Sequence, residues 1–358
     1  MRFDAAKLSD ALTQIRFAQG MLLGKMSGLG FPLRAEMALA ALTSEITQSG
    51  AIEGERLDAA QVRSSIARKL GIEAAGIVRV PRTVDGLVEM MLDATRRHQE
   101  PLTAERLFGW HCALFPTGRN ALSRITVGAW RPAGSGPMRV MSGAIGEERV
   151  HFEAPGADRV PEEMTRFLRW FNEGASVDWI LKAGLAHLYF VTIHPFEDGN
   201  GRMARAISEQ ALARSDGSPE RFYSLSSQIE KERGSYYHAL EECQRGDVDV
   251  TGWLCWFLGC LGRALESAEQ AGKGILRKAA CWRGLASQKV NDRQQKVVNR
   301  LLDGFEGFLT TSKYAKITKC SPDTALRDIR ELAAWGVLRP NGKGGRGAGY
   351  ALAEPAEG

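Results

Sequence analysis

The sequence predicts an all-α chain carrying one small β-hairpin and ending in a winged helix-turn-helix. Three observations predict it. Apolar residues recur at three- and four-residue spacing through most of the 358 residues. Between 124 and 160 that spacing gives way to Gly, Pro and short β-prone runs. From about residue 289 the pattern reads helix, helix, turn, helix and glycine-rich hairpin, the order of a winged helix.

Taken in order, residues 5–27 and 33–48 read as two helices parted by Gly28, Gly30 and Pro32. Asp58 with Gln61 looks like a capping box, and the helix it opens stops at Gly71. A helix follows from Asp85 to Arg97, and another from Pro101-Leu102-Thr103 to Leu114, stopped by Pro116 and Gly118. Met138-Arg139-Val140-Met141 and Arg149-Val150-His151-Phe152 flank a Ser-Gly-rich stretch and read as the hairpin. Helices resume over 161–172 and 177–193, and another opens near Asn200. Residues 266–288 read as a connecting helical stretch. In the tail, Val290 to Phe308 reads as one amphipathic helix, Thr311 to Ile317 as a second and Pro322 to Trp335 as a third. Val337-Leu338-Arg339 and Gly349-Tyr350-Ala351-Leu352 close it as a hairpin. The expected domains are a helical region over 1–97, a catalytic domain over 98–265 and a winged-helix domain over 285–358.

Composition is that of an ordinary globular protein, 44% hydrophobic and 25% charged, with a mild net charge of +5. The six cysteines form no CxxC pair, which argues against a zinc ribbon or a disulfide framework. No apolar run approaches a membrane span and the start has no secretory pattern, so a cytoplasmic chain without a membrane partner is expected.

The chemistry concentrates in His194-Pro195-Phe196-Glu197-Asp198-Gly199-Asn200-Gly201-Arg202-Met203-Ala204-Arg205. His194 follows an apolar helix and is turned by Pro195; an imidazole there suits a general base near neutral pH. Asp198 is an oxygen ligand of the kind Mg2+ takes when phosphates and water complete its shell. Gly199, Asn200 and Gly201 open the next helix, where close backbone approach and unpaired N–H groups make an anion site. Arg202 and Arg205, three apart, share one face and can grip successive phosphates.

This run matches, without a gap, the signature HPFx[DE]GNGRxxR, and the chain resembles the Fic (filamentation induced by cAMP) family over roughly residues 1–260. The resemblance implies a Fic-type helical domain that transfers AMP from ATP to a hydroxyl of a target protein and releases pyrophosphate. It implies that His194 deprotonates a Ser, Thr or Tyr, that Asp198 holds Mg2+, and that Asn200 with the Gly199 and Gly201 backbone cradles the α-phosphate. Arg202 and Arg205 would take the β- and γ-phosphates.

Ser49-Gly50-Ala51-Ile52-Glu53-Gly54 matches [ST]xxxE[GN], which in Fic proteins marks an inhibitory helix. A carboxylate at Glu53 set against Arg205 would form a bidentate pair in the place of the γ-phosphate. Ser49, Glu53 and Gly54 are therefore the expected inhibitory residues. The hairpin stands where Fic enzymes carry a flap that docks the target segment, which gives Arg139, Val140, Val150 and His151 as docking positions through strand-edge pairing. Leu225, Tyr236 and Tyr237 are candidates for an adenine pocket, with core packing the competing account.

From Lys289 to Arg346 there are twelve Lys/Arg against six Asp/Glu. A basic winged helix favours DNA, but Asp323, Asp328 and Glu331 dilute the third helix, and such modules also dock proteins. An autoinhibited protein adenylyltransferase, on a target protein and on itself, is the leading expectation. Removal of AMP by the same site is one alternative; a DNA-binding regulator whose Fic domain senses nucleotide is another. ATP and a hydroxyl-bearing target protein are the expected partners, with a homodimer open.

Overall fold

The structure, a computed structural model, describes residues 1–72, 78–120, 123–135, 138–142, 149–173, 177–246, 248–302, 304–342 and 349–353. The chain divides into two compact units, Met1–Ala268 and Glu269–Gly358.

The N-terminal unit is built on two consecutive helices, α7 (Trp179–Ile193) and α8 (Asn200–Asp216), which pack along each other. Nearly every residue of both is buried. A helix apolar on all sides can only sit in the middle of a domain, and α7 is such a helix through Leu181, Leu185, Leu188 and Val191. Around the pair lie α1 (Ala5–Ser27), α2 (Phe31–Ile52), α3 (Ala59–Leu70), α4 (Arg82–Arg96), α5 (Ala104–Leu114) and α6 (Val160–Asn172). Their ends follow local chemistry. Asp4, Asp58, Thr103 and Asp178 accept hydrogen bonds from the first amides of α1, α3, α5 and α7, and Gly71 closes α3 in the left-handed region.

After α8 come α9 (Leu225–Lys231), α10 (Arg233–Arg245) and α11 (Thr251–Gly284). The stretch 266–288 was expected as a connector; its helical part continues one long helix that begins at Thr251. Glu45 of α2 reaches the start of α9, where its carboxylate accepts from the Ser224 hydroxyl (2.8 Å), the Ser226 amide (2.9 Å) and the Ser226 hydroxyl. A carboxylate at a helix N-terminus is favourable both as a cap and against the helix dipole.

The hairpin forms from β1 (Arg139–Ser142) and β2 (Arg149–Glu153), antiparallel, with Arg139 opposite Glu153 and Val140 opposite Phe152. Met141 then faces Val150, which leaves His151 as the extra residue of a bulge.

In the C-terminal unit, α12 (Asp292–Leu302), α13 (Thr311–Thr318) and α14 (Pro322–Ala334) precede β3 (Leu338–Pro340) and β4 (Tyr350–Leu352), paired antiparallel. Val297, Leu301, Leu309, Ile329 and Leu332 belong to its core. One expectation needs correction: the helix anticipated over 290–308 ends at Leu302. Gly304 and Gly307 adopt φ of 94° and 74°, values no α-helix contains, so the remainder turns back toward Leu309 and its pairing with Tyr350. Lys343 and Arg346 lie outside the described residues.

Candidate active site

The motif folds as a loop, His194–Gly199, leading into the first turns of α8. His194 ends α7 in the left-handed conformation, φ 51°, with its amide bonded back to Phe190. Its Nδ1 lies 3.3 Å from the Val191 carbonyl, which places the proton there and leaves Nε2 with the lone pair. Burial, assisted by the nearby Arg131 charge, pushes its pKa down to about 4, so the ring is neutral at physiological pH.

Three residues outside the motif hold this loop. Arg131, 2% exposed, donates through Nε to the His194 carbonyl (2.8 Å), through its amide to the Pro195 carbonyl (2.9 Å), and through Nη2 to the Pro155 carbonyl. Because Pro155 lies two residues past the end of β2, Arg131 ties the hairpin's base to the loop that carries His194. His111 on α5 receives the Gly128 amide at Nδ1 and donates from Nε2 to the Asp198 carbonyl. Its ring stacks on Phe196 at 4.2 Å, and burial pushes its pKa down to about 4, which keeps that donor–acceptor pattern fixed. Asn120 donates to Asp198 Oδ2 at 3.0 Å.

Asn200 completes the loop from within. Its side-chain oxygen accepts the Phe196 amide (3.0 Å) and its side-chain nitrogen donates to the Phe196 carbonyl (2.8 Å). The carboxamide expected to cradle an α-phosphate is thus committed to the loop. What Asn200 offers an anion is its place in the first turn of α8, where backbone N–H groups are unpaired.

The first turn of α8 meets the end of α2. Arg205, 1% exposed, donates through Nε to the Ser49 hydroxyl (2.8 Å) and through Nη2 to the Ser49 carbonyl (2.9 Å) and Glu53 Oε1 (2.8 Å). Burial opposes its charge, but Glu53 outweighs that and holds its pKa above the ordinary arginine value. The bidentate Glu53–Arg205 pair expected from the sequence is instead one carboxylate contact: Ser49 takes Nε and shares Nη2 with Glu53, and Nη1 is buried with no partner among the described residues. Ser49 is no helix cap; it lies in the last turn of α2 and is 1% exposed. Gly54 turns the chain out of that helix at φ 81°.

Gly201 admits the Glu53 carboxylate onto α8. A Cβ at position 201 would stand 2.1 Å from Glu53 Oε1, so only glycine allows that approach. Two residues further on, Glu55 pairs with the other arginine: Arg202 Nη1 lies 2.8 Å from Glu55 Oε2, and Nη2 lies 3.4 Å from Asp198 Oδ1. The Arg202 guanidinium also sits over the Phe115 ring at 5.2 Å. Its Nε is buried with no acceptor among the described residues.

Asp198 presents one carboxylate, about one third exposed, steadied by the Gly199 amide and Asn120. Among the described residues, no three His, Cys, Asp or Glu side chains gather into a metal site. Such a donor set fits Mg2+ only as an ion that brings phosphate oxygens and water as its other ligands.

The adenine candidates are placed otherwise. Leu225 and Tyr236 are 2% exposed, and the Tyr236 hydroxyl bonds His187 Nε2 at 2.8 Å beside Trp253. Both are core residues. The Tyr237 hydroxyl donates to the Ile52 carbonyl at 3.3 Å, at the end of α2. Arg139, Val140, Val150 and His151 lie on the paired strands, and their side chains are outside the described residues.

Sequence reasoning missed Glu55, Arg131, His111 and Asn120. A signal existed only for Glu55: two acids two apart facing two arginines three apart.

Comparison with known proteins identifies the domain that holds the motif. Residues 101–212 match the model of the Fic/DOC family, and residues 1–72 match a domain of unknown function (DUF4172). The chain carries a Fic domain over residues 101–212. Its N-terminal helices therefore answer to a model of their own, separate from the Fic domain. A protein adenylyltransferase Fic of Drosophila melanogaster is 25% identical over 214 residues, 57% of this chain and 37% of that protein. The Drosophila ananassae counterpart is 35% identical over 96 residues, 26% and 18% of the two chains. The alignment thus spans little more than a third of the length of such curated relatives. Among solved structures, a Fic family protein from Desulfovibrio desulfuricans G20 is 22% identical, with a TM-score of 0.53 and coverage of 96% and 95%. Fic-1 from C. elegans is 20% identical, with a TM-score of 0.51 and 76% of each chain covered. These likenesses establish the helical Fic fold. No helix among the described residues is long and apolar enough to cross a membrane.

Proposed function

We propose that this chain is a protein adenylyltransferase restrained by its own N-terminal segment. The observation that carries the reading is the pair of carboxylates from one short stretch, Glu53 on Arg205 and Glu55 on Arg202, with Glu53 pressed onto Gly201 at the opening of α8. A helix N-terminus flanked by two arginines is an anion site, and here carboxylates fill it. A nucleoside triphosphate is the anion whose phosphates would engage both arginines in sequence.

In this reading His194 Nε2 takes the proton from a target hydroxyl as its oxygen attacks the α-phosphorus of ATP. A P–O bond forms, the bond from that phosphorus to the bridging oxygen breaks, and pyrophosphate leaves. The low pKa keeps the imidazole unprotonated and ready to accept. Arg202 and Arg205 hold the leaving phosphates, and the α8 amides face the α-phosphate. Asp198 would hold Mg2+, which would neutralise phosphate charge. The hairpin, anchored beside His194 through Arg131, is the proposed seat of the target segment. Glu53 restrains the reaction by occupying Arg205, so the triphosphate cannot settle with its α-phosphorus in line.

The test is incorporation of labelled AMP. A hydrogen bond to a charged group is worth about 1.5–3 kcal/mol, and the partial exposure of Glu53 puts this one at the lower end, so Glu53→Gly should raise adenylylation of the chain itself about tenfold. Equal incorporation by Glu53→Gly and the unaltered chain would sink the restraint, and no incorporation by either would sink the transferase.

A further inference from the structure

Helix α14 turns two of its three acids inward and its two arginines outward. Along α14 the residues Ala325, Asp328, Ile329 and Leu332 are buried, at three- and four-residue spacing. Asp323, Arg327 and Arg330 form the opposite, exposed stripe. Asp328, 1% exposed, accepts from Arg293 Nε (2.8 Å), from the Tyr314 hydroxyl (3.0 Å) and from Asn291 (3.4 Å). Glu331 is half-buried and accepts from Gln294 Nε2 at 2.7 Å. Two of the three acids that dilute this helix in the sequence are therefore spent on internal bonds. From α13 through α14, Lys313, Lys316, Lys319, Arg327 and Arg330 are exposed, against Asp323 as the exposed carboxylate.

Three residues, Lys319, Cys320 and Ser321, join the two helices, with Lys319 in the left-handed region at φ 54°. That is the turn length of a helix-turn-helix. At 1.5 Å per residue, α14 is about 20 Å long and narrow enough for the major groove of duplex DNA. Arg300, Lys313 and Lys316, against the carboxylate of Glu306, line a surface hollow of about 390 Å3 beside α13. Lys313 is steadied there by the carbonyls of Glu306 and Phe308 and by the Phe305 ring.

We propose that the α13–turn–α14 face binds double-stranded DNA, with Arg327 and Arg330 reaching base edges and Lys316 and Lys319 meeting phosphates. A forked guanidinium matches the guanine edge in the major groove. Protein docking fits less well: such interfaces are centred on apolar and aromatic residues and are poor in lysine, and neither α13 nor α14 exposes a large apolar side chain. Duplex RNA fits less well too, because its major groove is too narrow for a helix.

The test uses the full chain and fluorescence anisotropy with a labelled random-sequence DNA duplex across a salt series. Binding should weaken linearly in log–log form with salt, and Lys316→Ala/Lys319→Ala should reduce that slope by about two. Arg327→Ala/Arg330→Ala should weaken binding at least about tenfold. Lys7→Ala, an exposed lysine of the N-terminal unit, should leave both quantities unchanged. Absence of duplex binding at low salt, an unaltered salt slope in the lysine variant, unaltered affinity in the arginine variant, or equal affinity for duplex RNA would each overturn the proposal.

Discussion

The two halves of the motif are held in different ways. The loop half, His194–Gly199, is fixed by neutral or backbone-directed contacts from His111, Arg131 and Asn200. The helix half, with Arg202 and Arg205, is held by the carboxylates of Glu53 and Glu55. A phosphate cannot replace the first kind of contact, because those partners are buried carbonyls and amides. It can replace the second, because a phosphate oxygen and a carboxylate oxygen make the same demand of an arginine. The proposed catalytic loop is therefore permanent structure, whereas the proposed phosphate clamp is exchangeable.

Breaking the loop half should cost most. His194→Ala removes the proposed base, and activity in the Glu53→Gly background should fall about a hundred- to ten-thousand-fold in single-turnover assays with labelled ATP. Asn200→Ala leaves two backbone groups of buried Phe196 without partners, each worth about 1–3 kcal/mol. The expected result is a lower melting temperature by calorimetry and an activity loss smaller than that of His194→Ala.

The pH dependence sharpens the same contrast. A neutral His194 with a pKa near 4 should keep kcat/KM level on lowering pH until that value, where an ordinary histidine would already fail near 6.5. Stability runs the other way. His111 and His194 are depressed to about 4 in the folded chain, so the unfolded chain binds more protons as pH drops below about 6.5. Melting temperature should decline from there toward pH 4, a trend that thermal scans across the range would check.

The smallest effect belongs to the clamp's outer pair. Glu55 is 41% exposed at its side chain, and solvent screens such pairs to about 0.2–1 kcal/mol. Glu55→Gln should lower KM for ATP by about two- to fivefold with little change in kcat. An unchanged KM would remove Arg202 from the exchangeable set.

Much of this was legible because it is local. Capping residues, the α7–loop–α8 order and the Glu53 hexapeptide each announce themselves within a few positions. What stayed hidden depends on folding across distance. Arg131 lies about sixty residues before the loop it braces and carries no pattern of its own. Asn200 was assigned to phosphate because its type suits both roles, and only geometry shows its carboxamide occupied. The end of α12 was misplaced because apolar spacing continues through Phe305 and Phe308, while two glycines end the helix. Asp328 looked like a surface acid, since nothing in a single helix reveals that Arg293 and Tyr314 lie behind it.

The tie from the Tyr237 hydroxyl to the Ile52 carbonyl has a mechanical meaning. The last carbonyls of a helix have no partner within it, and this one is pegged from α10. Ser49 sits on that same final turn and Glu53 caps it, while Glu45, a full turn or more earlier, is locked to α9. Unwinding that one helical turn would free Arg205 of both Ser49 and Glu53 and leave the body of α2 in place. The proposed restraint is thus a hinge pin at a helix tip, one that could be drawn without dismantling the domain.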